Sequence, residues 1–387
     1  MRNLKKILSV TLVMLMVLSL GACSSVPKTL SEQWSYKTAY AEYDAGVYLF
    51  ALFTAYDRAY GIISDAEGDD FDSEASIMDV RSTFDETDEV FVCRDWIVKE
   101  ADTITRNLIA MDLALEKYGI ELDPQVVENA REQAKIDWYL GPYYFDYGPE
   151  YSTPYESVFG KFGISFDSYF LSSVNLANVK QEALFSHLYG KGGEMEVSEK
   201  DVEKYFADNY TSYSYFTLPL FTTTMDESGS NVQVPLKDSE LGVVKEVLTA
   251  YTKLINEENA SFEQVVESYK KYAKITDDPS TDSIEDLSRN TSLPQEVIDK
   301  LESMKDNKAS VVYTGEDNSQ VAYFVCKHTL ADSADDYLGD EVNRNQILKS
   351  MKGEDFYDYL MALTDAVECQ VNTGYIEKCD PKMFEEK

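Results

Sequence analysis

Histidine is nearly missing from this 387-residue chain, which has only His187 and His328. A histidine zinc site needs a second ligand at helical or short-loop spacing, and neither residue has one. His187 therefore reads as a helix-surface residue. His-Glu-x-x-His hydrolase chemistry is excluded, and neither a Gly-x-Ser-x-Gly elbow nor a phosphate-cradling glycine loop is found. Positive charge is scarce as well, with 35 Lys and Arg against 70 Asp and Glu and a formal net charge of −35. A surface of that sign repels phosphate backbones and no basic stripe interrupts it, so nucleic acid is excluded as a partner. The five cysteines form no Cys-x-x-Cys pair, which removes dithiol redox chemistry and a cysteine zinc site. The acidic residues are spread along the chain and read as a solvated surface. Their densest clusters, Glu67 to Asp72 and Asp335-Asp336 with Asp340, lack the alternation and glycine placement of a calcium loop. No cofactor or metal is expected.

Long apolar runs are also few. The one that exists, Ile7 to Leu20, spans about 14 residues, short of the roughly 20 needed to cross a bilayer. It follows Arg2, Lys5 and Lys6 and ends in Leu20-Gly21-Ala22-Cys23. This order resembles a bacterial lipoprotein signal with its lipobox, and the resemblance implies cleavage before Cys23, lipidation of that cysteine and tethering at the cell membrane. Loss of the three cations takes the net charge from −35 to −38. Residues 23–35, polar and containing Pro27, read as a tether. Outside the cytoplasm, Cys93, Cys326, Cys369 and Cys379 can form two disulfides in three connectivities, and Cys369 with Cys379 is the easiest pair to close.

Helical periodicity dominates to about residue 210. Ile97, Ala101, Ile104, Leu108, Met111 and Leu115 share one face of a helix over Trp96 to Tyr118, which Gly119 stops. Asp123-Pro124 opens another helix, with aspartate as cap and proline at the first position. Asp167 to Leu188 reads as a further run, and Ser198-Glu-Lys-Asp201 as a capping box. Beyond 210 the pattern changes: Tyr213 to Thr222 and Val321 to Cys326 read as strands, Leu241 to Asn256 and Ser261 to Tyr272 as helices. A last helical stretch covers Tyr337 to about Ala366.

Between Tyr139 and Tyr151, two Gly-Pro pairs punctuate a segment that reads as non-helical throughout and carries five tyrosines and one phenylalanine. Two readings stay open. The rings either hold unfolded peptide or staple the loop to its own core.

The order of these pieces resembles exported foldases of the SurA and PrsA type, in which a parvulin-like peptidyl-prolyl isomerase unit is set between helical chaperone segments. Three stretches carry the resemblance: Ala114 to Leu122 at the end of the long helix, Val197 to Asn209 as the linker helix, and the series Ser261 to Tyr269, Leu293 to Leu301, Ala309 to Val312 and Ala322 to Cys326. The resemblance implies two pocket histidines on neighbouring strands. The opening strand Tyr213 to Leu220 has none, Phe324 takes the place of the second, and Ser283-Ile-Glu-Asp-Leu287 replaces the family's glycine-rich segment. Cys326 and His328, two apart on a strand, face one side and complete the degenerate pocket candidates.

The expected fold is α+β, a mainly helical chaperone-like module with an inserted parvulin-like domain. Its divisions are a signal at 1–22, tether 23–35, helical domain 36–210, parvulin-like domain 211–330, and a C-terminal segment 331–387 packing on the helical domain. The expected function is passive holding of unfolded, newly exported polypeptides near the membrane, with Tyr139, Tyr143, Tyr144, Phe145 and Tyr147 as contact residues and without efficient isomerase catalysis. Alternatives are an active prolyl isomerase with a rearranged pocket, or a lipoprotein that captures a ligand or peptide, against which the helical first half speaks.

Overall fold

The computed structural model describes residues 33–84, 89–225, 229–315 and 319–385. The signal sequence, Cys23 and most of the tether lie outside the described residues. The class is α+β, as the sequence indicates, and the chain forms two compact units. The first comprises residues up to Leu188 together with Glu354 onward, and the second is Tyr189–Gly353.

In the first unit, Asp44 caps the helix Ala45–Glu67 by accepting from Val47 N, and Ala45, Tyr48, Leu52, Ala55 and Ala59 turn inward at helical spacing. At Gly46 a helix of another segment comes so close that an added Cβ would stand 2.7 Å from Ser168 Cβ and closer still to its hydroxyl. Helix Cys93–Tyr118 packs its Trp96, Ile97, Ala101, Leu108 and Ile109 into the same core and ends at Gly119, in the left-handed region at φ 64. Helix Pro124–Tyr139 starts at Asp123, whose side chain accepts from Gln125 N. The run expected from Asp167 to Leu188 is broken in two, Phe166–Ser172 and Val174–Tyr189. Ser173 makes the break: its hydroxyl donates to Phe170 O at 2.8 Å and accepts from Leu176 N at 3.3 Å, ending one helix and starting the next.

Trp34 and Ser35, expected to lie in the tether, belong to a strand instead. Trp34–Lys37 is the central strand of a three-stranded antiparallel sheet, between Gln370–Val371 and Glu42–Asp44. Ser35 is fully buried and its hydroxyl donates to Asp44 O at 2.7 Å. The second half of helix Glu341–Asp365 belongs to this unit, tied by Tyr118 Oη to Tyr359 Oη at 3.0 Å and by Asn107 Nδ2 to Thr364 Oγ1 at 3.3 Å.

The second unit is a four-stranded antiparallel sheet in the order Thr281–Asp286, Tyr210–Pro219, Val321–Lys327, Lys308–Thr314. Strand alternation splits its side chains. Phe216, Leu218, Phe324 and Cys326 face helices Asp238–Asn256 and Phe262–Ala273, while Tyr213 and Val325 pack with helix Gln295–Ser303. An exposed hairpin, Phe221–Met225 with Asn231–Pro235, leaves the end of the first strand.

The unit borders differ from those expected at 210 and 331. Helix Glu199–Asn209 belongs to the sheet unit because Phe206 is buried there, 5.2 Å from the rings of both Tyr210 and Tyr337, and Arg344 pairs with Glu199 at 2.8 Å. The two disulfides that the sequence allows are not formed, for the four described cysteines are free. Cys326 sits in the core of the sheet unit, whereas Cys93 and Cys379 sit in the core of the helical unit. The Cys379 thiol donates to Tyr375 O of its own turn at 3.5 Å.

Candidate functional site

Two regions carry the candidate residues, one in each unit. In the helical unit, Tyr139 ends a helix and the chain turns at Gly141, whose φ is 94 and where a Cβ would meet Thr153 O at 2.7 Å. Only glycine fits that approach. The segment beyond is not devoid of helix, contrary to expectation. Tyr144–Tyr147 forms a single turn, closed by Tyr147 N to Tyr143 O at 3.0 Å, and Pro149 opens a 3-10 turn to Tyr151. The residues between the two glycines suffice for one turn and no more.

This turn displays its rings. Phe145 is 73 % exposed, Tyr151 70 %, Tyr147 68 %, Tyr143 55 % and Tyr139 52 %, while Tyr144 is half-buried. Tyr143 meets Tyr147 edge to face at 6.0 Å, Tyr144 meets Phe145 at 5.3 Å, and Tyr139 stacks on Phe166 at 6.2 Å. In the core of the same unit, Phe50, Phe159 and Tyr169 form a packed aromatic cluster with centroids 5.3 to 6.3 Å apart. Soluble surfaces rarely gather large rings in this way without a partner. Tyr151, which closes the same aromatic run, is exposed as well and was not among the expected contacts.

In the sheet unit, Phe324 and Phe216 are directly paired across neighbouring strands and their rings stack at 5.0 Å. Phe262 and Tyr269 extend the stack, and Phe324 is completely buried. The position taken to replace a pocket histidine is thus part of a closed aromatic core under two helices.

Cys326 and His328 do not meet as a thiol and its base. The Cys326 thiol is pushed up to about 11 by burial and by the Glu263 carboxylate, so it stays protonated at neutral pH. It contacts Lys327 O at 3.9 Å, while His328 Nε2 lies 2.6 Å from Ser214 Oγ. Ser214 Oγ in turn donates to the Asp282 carboxylate. With that proton committed, the ring nitrogen must donate, and the relay runs from His328 through Ser214 to Asp282. A serine held this way is not activated, because the histidine supplies a proton where a nucleophile needs one removed. No orienting acid stands near His328 in the sequence pattern of its strand. The cross-strand register places Asp282 opposite Ser214, and nothing local in the sequence announces it.

His328, Ser214 and Asp282, but not Cys326, line a cleft of about 510 Å³ with Glu263, Asn307, Asp332 and Tyr337. No lysine or arginine lines it. Elsewhere, His187 is half-buried against Tyr118, with ring centroids 5.0 Å apart. Among the described residues no group of three His, Cys, Asp or Glu is placed to hold a metal ion, and no helix is long and apolar enough to cross a membrane.

Together these features define the class of fold: a helical unit interrupted in sequence by an antiparallel sheet unit with helices on both faces. The chain is similar to two solved foldase structures. One is the crystal structure of foldase protein PrsA from Streptococcus pneumoniae, at 16% identity and TM-score 0.39, with 76% of this chain and 97% of that one covered. The other is foldase protein PrsA from Lactococcus lactis, at 12% identity and TM-score 0.35, with 74% and 90% covered. No family model matches the sequence, and no curated protein matches it.

Proposed function

We propose that this chain is an exported, lipid-anchored chaperone of the foldase kind, which holds unfolded exported polypeptides and does not catalyse prolyl isomerisation efficiently. The observation that carries the reading is the set of five rings, each more than half exposed, on one short segment of the helical unit. Tyrosine and phenylalanine offer large contact areas with little rotamer freedom to lose, which suits weak holding of many extended sequences. The order of sequence motifs supports the foldase class, and the lipobox-like start supports the anchor at Cys23. The parvulin-like sheet unit lacks both family histidines, and Phe216 and Phe324 fill its core, which supports the absence of catalysis.

The test uses the mature chain and a reduced, unfolded client. Aggregation is followed beside prolyl isomerisation of a tetrapeptide on the same preparation. Suppression without isomerisation is expected, and replacement of Tyr139, Tyr143, Tyr144, Phe145 and Tyr147 by serine is expected to remove most of the suppression with the circular dichroism unchanged. Undiminished suppression by that variant would overturn the assignment of the surface, and isomerisation at parvulin rates would overturn the silent sheet unit.

A further inference from the structure

The aromatic surface is also an acidic one. From Ile136 to Gly160 the sequence holds no lysine or arginine and four carboxylates. Of these, Asp137 accepts from Tyr169 Oη and Asn175 Nδ2, both at 3.3 Å. Asp146, Glu150 and Glu156 are exposed, and no hydrogen bond or ion pair among the described residues engages them. The nearest cations in sequence are committed elsewhere. Lys135 pairs with Glu132 at 2.5 Å, Arg131 with Asp167 at 2.7 Å, and Lys161 sits over the Phe162 ring at 4.8 Å.

A cation is the group that gains from both features. Its charge is attracted to the face of an exposed tyrosine or phenylalanine and to a nearby carboxylate, and guanidinium adds planar stacking and a donor fork. A carboxylate-bearing segment is repelled by the same surface, so the surface discriminates as well as binds. Resting on the holding function proposed above, we infer that the surface formed by Tyr139, Tyr143, Phe145, Tyr147 and Tyr151 with Asp146 and Glu150 takes extended polypeptide segments rich in arginine and lysine. Two exposed cation–π contacts and one carboxylate pairing amount to about a tenfold preference over an uncharged segment.

The experiment measures binding of three labelled, unstructured peptides to the mature chain by fluorescence anisotropy. All three carry the same apolar residues and differ in four positions, occupied by arginine, glutamine or glutamate. The expected order is arginine tightest by about tenfold, then glutamine, then glutamate, with the arginine advantage shrinking as salt rises from about 50 mM to about 500 mM. In an Asp146→Asn, Glu150→Gln, Glu156→Gln variant, which keeps the rings, the arginine advantage should shrink about twofold, to roughly fivefold, while the glutamine peptide binds as before. Equal binding of arginine and glutamine peptides would overturn this inference and leave the holding function standing. An arginine advantage undiminished in the variant would also overturn it, by assigning the preference to the chain's diffuse net charge. Binding of none of the three would remove the holding function, and this inference with it.

Discussion

Truncating Phe324 to alanine tests whether the sheet unit has an open pocket at that position. The ring is fully buried and touches Phe216 at 5.0 Å, Phe262 at 6.3 Å and Tyr251 at 6.3 Å, so nothing beside it can collapse without moving another ring. Loss of a buried phenylalanine costs about 3 to 5 kcal/mol, from lost transfer and from the cavity left behind. Complete enclosure among stacked rings places Phe324→Ala near about 4 kcal/mol. The readout must be specific to the sheet unit. Trp34, Trp96 and Trp138 all belong to the helical unit, so tryptophan fluorescence follows that unit alone. Amide exchange within Tyr210–Pro219 and Val321–Lys327 follows the sheet, and protection there should fall by a factor corresponding to that energy. A loss below about 1 kcal/mol would mean that the ring faces solvent, and the closed-core reasoning would be refuted.

Two further perturbations concern the start of helix Ala45–Glu67. Burial raises the Asp44 carboxyl above its ordinary 3.8, with hydrogen bonds from Ser168, Val47 and Gly46 opposing and the Asp167 charge assisting. The folded state therefore binds this proton more tightly than the unfolded chain, so the contribution is fully present below 3.8 and is lost as pH rises through the folded value. Asp44→Asn keeps the cap and removes the titration, so its stability should gain on the wild type as pH rises through that window. Parallel melting temperatures across the acid range would refute the shift. Gly46→Ala should destabilise, although alanine favours helices by about 1 kcal/mol over glycine, because its methyl would stand 2.7 Å from Ser168 Cβ. Overpacking of this kind costs about 1 to 3 kcal/mol, and an unchanged or raised melting temperature would contradict so close a packing of the two helices.

The parts of the fold that the sequence makes legible are those decided by neighbours along the chain. Apolar spacing and Gly119 mark the helix Cys93–Tyr118, and Asp123-Pro124 marks the next start, because caps and helical faces are set within a few residues. The illegible parts depend on distant pairing. Trp34–Lys37 lies where a tether is expected because its partner, Gln370–Val371, stands at the far end of the chain. The relay from His328 to Asp282 likewise exists only through the register of three strands. For the aromatic turn, composition is compatible with burial and with display, and only the folded structure shows most of the rings outside.

The pairing of Tyr36 with Val371 also fixes an order of assembly. The sheet unit is continuous in sequence, so all of its strands are available once residue 353 has been made or has emerged. The helical unit has its first strand near residue 34 and cannot close its small sheet until the last residues arrive. In vectorial synthesis or export, the sheet unit is therefore free to fold while the helical unit is still missing an edge strand. Until that strand docks, the unit that displays the aromatic surface is an unfinished chain with the same need for shelter as the segments it is proposed to hold.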